Sequence, residues 1–165
     1  MKMTETFLAQ LDREAVGTRK ALERVPEGKN DWKPHQKSMQ FGYLSSLVAT
    51  MPYWITLMIE KDEFDIASGV GSPQPVETAA ELIEAHDKAL EGAKKALSGT
   101  TDEHLLTPWK LLYGGNLIDN RPRHLVIEDT ICHLAHHRGQ LTVYLRLNDQ
   151  PVPAIYGDSA DSRQE

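Results

Sequence analysis

A single cysteine, Cys132, stands among 165 residues, so no intrachain disulfide can form and the chain agrees with a reducing compartment. Basic charge is also scarce: 18 Lys and Arg face 24 Asp and Glu, for a formal net charge of −6. An acidic chain without a basic run repels phosphate backbones, which removes nucleic acid from the expected partners. No stretch reaches the roughly 20 consecutive apolar residues that span a bilayer. The opening MKMTETFLAQLDREA is amphipathic and lacks the continuous apolar centre of a signal peptide. These absences predict a soluble, cytoplasmic protein with no membrane partner. No internal repeat, low-complexity tract or composition shift divides residues 1–165, so a single domain with a full-sized core is expected.

What the chain does have is helical periodicity. Residues 3–25 repeat apolar or small side chains at Phe7, Leu11, Ala15, Thr18, Leu22 and Val25 before Pro26 and Gly28. A second helix is predicted over 38–61, opening at Ser38 as N-cap and apolar nearly all round, with Pro52 expected to bend it. Residues 62–77 read as a linker in which Asp62, Glu63 and Asp65 form a solvated turn before a stretch rich in Gly and Pro. The third helix opens on the capping box Thr78-Ala-Ala-Glu81, carries His86 in its apolar stripe, and ends near Gly99. A second capping box, Thr100-Thr-Asp-Glu103, predicts a short turn before Pro108. WKLLYGGNLID then reads as a hairpin or irregular segment around Gly114-Gly115-Asn116. The last helix is predicted over 123–148, and Val152, Ile155 and Tyr156 of the tail are expected to dock. Helices of this length with little strand content imply an all-α chain, a four-helix bundle whose long linkers allow crossover connections.

The last helix carries the chemistry. His133 and His137 stand four residues apart, so their rings share one face and can reach a common ion or substrate. Val126, Thr130, Gln140 and Tyr144 share that face, whereas Ile127, Ile131, Leu134, Leu141 and Leu145 gather on the other side. His136 points away from the pair. Gln140 and Tyr144 are read as interhelical hydrogen-bonding residues, and Arg138, on the apolar side, as a structural guanidinium in need of a carboxylate. His86 is read as a histidine bonded to a neighbouring helix, Cys132 as a small buried residue rather than a nucleophile, and Trp32, Trp54 and Trp109 as packing residues at helix ends or an interface.

The chain resembles the DinB-like superfamily of bacterial four-helix bundles, the DinB and YfiT-like metalloenzymes. The resemblance rests on His133-Leu-Ala-His-His137-Arg-Gly-Gln140-Leu with Tyr144-Leu-Arg146, on Val152-Pro-Ala-Ile-Tyr156-Gly, and on Pro34-His-Gln-Lys37-Ser38-Met. It implies a divalent ion, nickel or zinc, held by two histidines placed as His133 and His137 are, plus a third in helix two. It also implies a homodimer and the chemistry of a hydrolase or a low-molecular-weight thiol transferase acting on a small electrophile. At the third position this chain departs from the family: Gly42-Tyr43-Leu44-Ser45-Ser46-Leu47 puts Leu47 where the histidine is expected. Two readings follow. One is a metal-dependent enzyme with an atypical ligand set; the other is a metal-free bundle acting as a small-ligand binding or protein-interaction module.

Overall fold

The computed structural model describes residues 2–162. Among them the elements run α1 (Met3–Leu22), α2 (Phe41–Thr50), α3 (Tyr53–Glu60), β1 (Glu63–Asp65), a 3-10 turn (Ile66–Ser68), α4 (Ala79–Gly99), α5 (Asp102–Leu105), β2 (Pro108–Tyr113), β3 (Asn116–Pro122) and α6 (Arg123–Leu147). The all-α expectation is therefore corrected. The chain is mostly helical but carries a three-stranded sheet of order β1-β2-β3, with β1 parallel to β2 and β2 antiparallel to β3. The hairpin expected around Gly114-Gly115 is β2–β3. Both glycines take positive φ, +56° and +79°, the left-handed conformation that favours glycine in a two-residue hairpin turn.

The segment read as a linker supplies the extra strand. Phe64 is buried against Trp54 in an edge-to-face contact, with ring centroids 5.3 Å apart. Asp62 and Glu63 are exposed, as a solvated turn requires, whereas Asp65 is half-buried and acts as a tether. Asp65 accepts hydrogen bonds from the backbone N–H of Gly114 and Gly115 at 2.9 and 2.7 Å, pinning the hairpin tip to the 3-10 turn. Those bonds, that of Gly115 first, hold the Asp65 carboxyl below the usual carboxylate range.

Helix two does not begin at Ser38. Phe41 and Gly42 donate their backbone N–H to the carbonyls of Trp32 and Asn30, at 2.8 and 3.0 Å, so backbone carbonyls from the preceding loop satisfy first-turn donors that a side-chain cap would otherwise take. The approach requires glycine at 42, where a Cβ would meet Asn30 Oδ1 at 2.5 Å. The helix breaks at Pro52, and α2 and α3 diverge by 48°. No single described helix is long and apolar enough to cross a membrane. The α4 capping box forms as expected, whereas the cap of α5 is Thr101, which accepts from His104 N, rather than Thr100. Asp102 in turn accepts from Met3 N and Thr4 N at 2.9 and 3.1 Å, closing the start of α1.

Packing divides into two buried clusters. One joins Phe7 and Leu11 to Ile55, Met58, Trp109 and Ile127. The other joins Leu22 to Phe41, Leu44, Val48, Leu141 and Leu145. Helix α6 runs through both, packed by α1 and by α2 and α3, so its Val126, Thr130, His137 and Tyr144 are buried along with the apolar stripe.

Arg123, at the start of α6, is 1% exposed. It donates to the carbonyls of Met58, Lys61 and Pro108, to Thr107 Oγ1, and to Asp62 Oδ1. One guanidinium thereby closes the C-terminal end of α3 and ties it to β2 and α6. Arg123→Met is expected to cost about 3 kcal/mol, since two or more bonds to a charged donor are lost at roughly 1.5 kcal/mol each. Urea denaturation reads this directly; a loss below about 1 kcal/mol would show the network to be idle.

Candidate functional site

The paired histidines meet as the four-residue spacing requires. His133 Nε2 and His137 Nε2 are 2.7 Å apart, and their ring centroids are 4.4 Å apart. Two imidazole nitrogens at that distance share one proton, since a proton on each would collide and none would leave two lone pairs opposed. Gln140 sets which nitrogens are free. Its Oε1 lies 2.7 Å from His137 Nδ1, which donates to it, and its amide nitrogen donates to His136 Nε2 at 3.1 Å. His137 therefore carries its proton on Nδ1, and His133 Nε2–H donates to His137 Nε2. Gln140 serves its own helix here, which corrects the interhelical role expected of it. Tyr144 does bond outside its helix, donating its hydroxyl to Met39 O at 3.0 Å.

Desolvation, then repulsion by His137 and His136, holds His133 below the ordinary imidazole range. His133 lines a cavity of about 400 Å³ between α2, α3, the sheet and α6. Met51, Trp54, Met58 and Trp109 supply apolar wall, and Leu47 lines the same cavity as His133. Trp109 is 1% exposed, and among the described residues its indole N–H has no acceptor. Asp119, Arg121 and Asp129 complete the polar side. Arg121 bonds Asp119 through Nε and Nη2, the latter at 2.7 Å, and reaches Asp129 at 2.8 Å. Those two carboxylates raise the Arg121 pKa, Asp119 first, and fasten β3 to α6. The sequence reading missed this group. Its only signal was a basic residue two places beyond an acid in the second hairpin arm.

The remaining candidates lie elsewhere. His86 is 1% exposed, and its Nδ1 meets the carbonyl of Ala49 at 3.3 Å, in the last turn of α2 where the helix is about to break. That matches the expected bond to a neighbouring helix. His104 and His124 likewise meet the carbonyls of Ile59 and Leu105. Cys132 is exposed, which corrects its reading as a buried residue. Arg138 is 1% exposed and has found its carboxylate in Glu14 at 2.6 Å. Trp32 packs edge-on against Tyr144, with centroids 5.4 Å apart.

Among the described residues no group of three or more His, Cys, Asp or Glu side chains is placed to hold a metal ion. His133 and His137 converge as two ligands would, but the position expected to supply the third is a leucine. This donor set does not make the three-ligand site that catalytic zinc requires.

His86 has a second consequence. Burial pushes its pKa below the ordinary 6.5, outweighing the opposing bond to Ala49. Its contribution to stability is therefore present above the unfolded value and lost as pH falls below it, because only the unfolded chain takes up the proton freely. We expect His86→Leu to flatten the loss of urea resistance between pH 7.5 and 5. His133 acts with the same sign, so some slope remains. An unchanged slope would contradict the assignment.

No protein-family model matches the chain, and no curated protein matches it. Solved structures do. A DinB-like protein from Bacillus cereus ATCC 10987 superposes with a TM-score of 0.71 at 23% identity, covering 92% of this chain and 97% of that one. The DinB-like protein YjoA from Bacillus subtilis gives 0.70 at 17% identity, covering 93% and 99%. A DinB family member from Exiguobacterium sibiricum 255-15 gives 0.64 at 16% identity, covering 98% and 97%.

Proposed function

On the DinB-like fold that this chain has, we propose a module that binds a small, mostly apolar molecule in the cavity beside His133, without a metal site built by its own residues. We read the helical body as a four-helix bundle in which α2 and α3 form one bent rod. The observation that carries the proposal is Leu47: it stands on the cavity wall where a third ligand would be needed, among Met51, Trp54 and Met58. A concave, apolar space with a few polar groups on one side is the usual form of a small-molecule site, and about 400 Å³ is within the customary size. His133 Nδ1, left free by the proton arrangement above, is an acceptor for a hydroxyl or amide of the ligand.

A titration of nitrogen-15-labelled protein with p-cresol tests this. The indole N–H resonances of Trp54 and Trp109 are expected to shift saturably while that of Trp32, which does not line the cavity, stays still. Leu47→Phe, which narrows the space, weakens the effect. Equal movement of all three indoles, or shifts that never saturate, would sink the reading.

A second reading keeps nickel or zinc on His133 and His137, and with it a metal-dependent hydrolase or thiol transferase. It is favoured by the Gln140 bond, which leaves His137 Nε2 facing His133 Nε2 as a metal-bound histidine needs. The third donor would then have to come from a substrate or a second chain. A homodimer, expected from the family resemblance, would draw on Val143 and Leu147, exposed one turn apart on α6.

A further inference from the structure

A second cleft, of about 650 Å³, lies between α3, α4 and residues 71–74, and it shares no residue with the cavity beside His133. Its α4 side is built from small residues, Ala85, Ala89 and Gly92, which leave room for a flat body. Tyr53 forms an aromatic wall beside Gly71, where a Cβ would come within 3.4 Å of the ring. Thr56, 9% exposed, also lines the cleft, and among the described residues its hydroxyl has no partner.

The charges are as informative as the shape. Lys88 and Lys95 stand seven residues apart on one face of α4, both exposed and both lining the cleft. Among the described residues neither has a carboxylate within ion-pairing distance, whereas Lys94 is paired with Asp12 and Lys110 with Glu63. Glu91 lies between them on the same lining and pairs with neither. Two ammonium groups against one carboxylate leave a single local positive charge in a chain whose net charge is −6. That balance suits a monoanion better than a phosphate dianion.

We propose that this cleft binds a small aryl carboxylate, its ring against Tyr53 and the Ala85–Ala89–Gly92 surface and its carboxylate between Lys88 and Lys95. The geometry needs no covalent step and no metal. Exposed lysines give charge without fixed direction, so the apolar surface supplies most of the affinity and the lysines select the anion.

The test is a nitrogen-15 titration of the full chain with 2-naphthoate and, in parallel, with the neutral 2-naphthamide. Saturable shifts are expected at the amides of Gly71, Ala89 and Gly92, with tighter binding of the acid. Lys88→Gln with Lys95→Gln should raise the Kd of the acid roughly tenfold, as two exposed ion pairs allow, and leave that of the amide unchanged. Ala85→Trp, an obstruction on the partly exposed side of α4, should weaken both. Thermal melts confirm that each variant is folded. No saturable shift in the native protein, shifts centred on the Trp54 and Trp109 indoles, or an unchanged Kd in the folded double variant would each overturn the proposal.

Discussion

Leu47→His is expected to raise zinc affinity about 100-fold or more, above the roughly 10–100-fold that outer-shell contacts to a metal ligand are worth. Leu47 lines the cavity that His133 also lines, and Gln140 already holds His137 in the tautomer that presents Nε2. A third imidazole from α2 would turn a two-nitrogen pair into the three-ligand set of a catalytic zinc site. Leu47 is only partly buried, so the exchange spares the core. Calorimetric zinc titration against a chelator of known affinity reads the effect, and His137→Ala in the Leu47→His background should abolish it. Equal zinc affinity in native and Leu47→His protein would show that position 47 does not address the pair.

Removing Glu14 should cost about 3–5 kcal/mol, the usual penalty for leaving a buried charge without its partner. Glu14 and Arg138 are 3% and 1% exposed. Glu14 Oε2 accepts from Arg138 Nη2 and from the Tyr156 hydroxyl, both at 2.6 Å. Arg138 Nη1 also donates to Glu14 O and Thr18 Oγ1. The network thus joins α1, α6 and the tail, whose Ile155 packs so near Gly17 that a Cβ there would lie 2.8 Å from its Cγ2. Glu14→Ala keeps the buried guanidinium, whereas Glu14→Met with Arg138→Met removes both charges, so the double variant should lose less than the single one. Urea midpoints decide between them. A double variant as damaged as the sum of the two singles would show that the residues act independently.

The same network has a pH signature. Burial alone would raise the Glu14 carboxyl, but the Tyr156 hydroxyl and the Arg138 guanidinium outweigh it and hold the group below its ordinary 4.5. This stabilisation is present above the unfolded value and disappears as pH falls through the folded one, below the window in which His86 acts.

Much of the architecture was legible because it is local. The steps of three and four along α1, the Thr78 and Glu81 pair, and the Gly114-Gly115 turn each follow from short-range geometry. The errors arose where partners distant in sequence decide the outcome. β1 exists because β2 lies alongside it, pairing Phe64 with Leu111, and nothing in a three-residue strand announces a parallel neighbour. The start of helix two moved to Phe41 because the carbonyls of residues 30 and 32 cap it, which no side-chain pattern at Ser38 could show.

The site divides in the same way. The His133–His137 pair is a helical repeat and was visible, and the need of Arg138 for a carboxylate was visible too, though not that Glu14 would meet it. Arg123 and Arg121 passed unremarked, because their importance comes from carbonyls and carboxylates gathered from other elements. Cys132 was misplaced because it neighbours the buried Ile131 in sequence but lies outside the stripe that α6 buries.

Metal content per chain of the untagged native protein, by elemental analysis after exhaustive dialysis, tests the central claim most directly. Two imidazoles without a third ligand should retain nickel and zinc far below one ion per chain. Near-stoichiometric metal, lost on His137→Ala, would contradict the claim and mean that a third ligand completes the site.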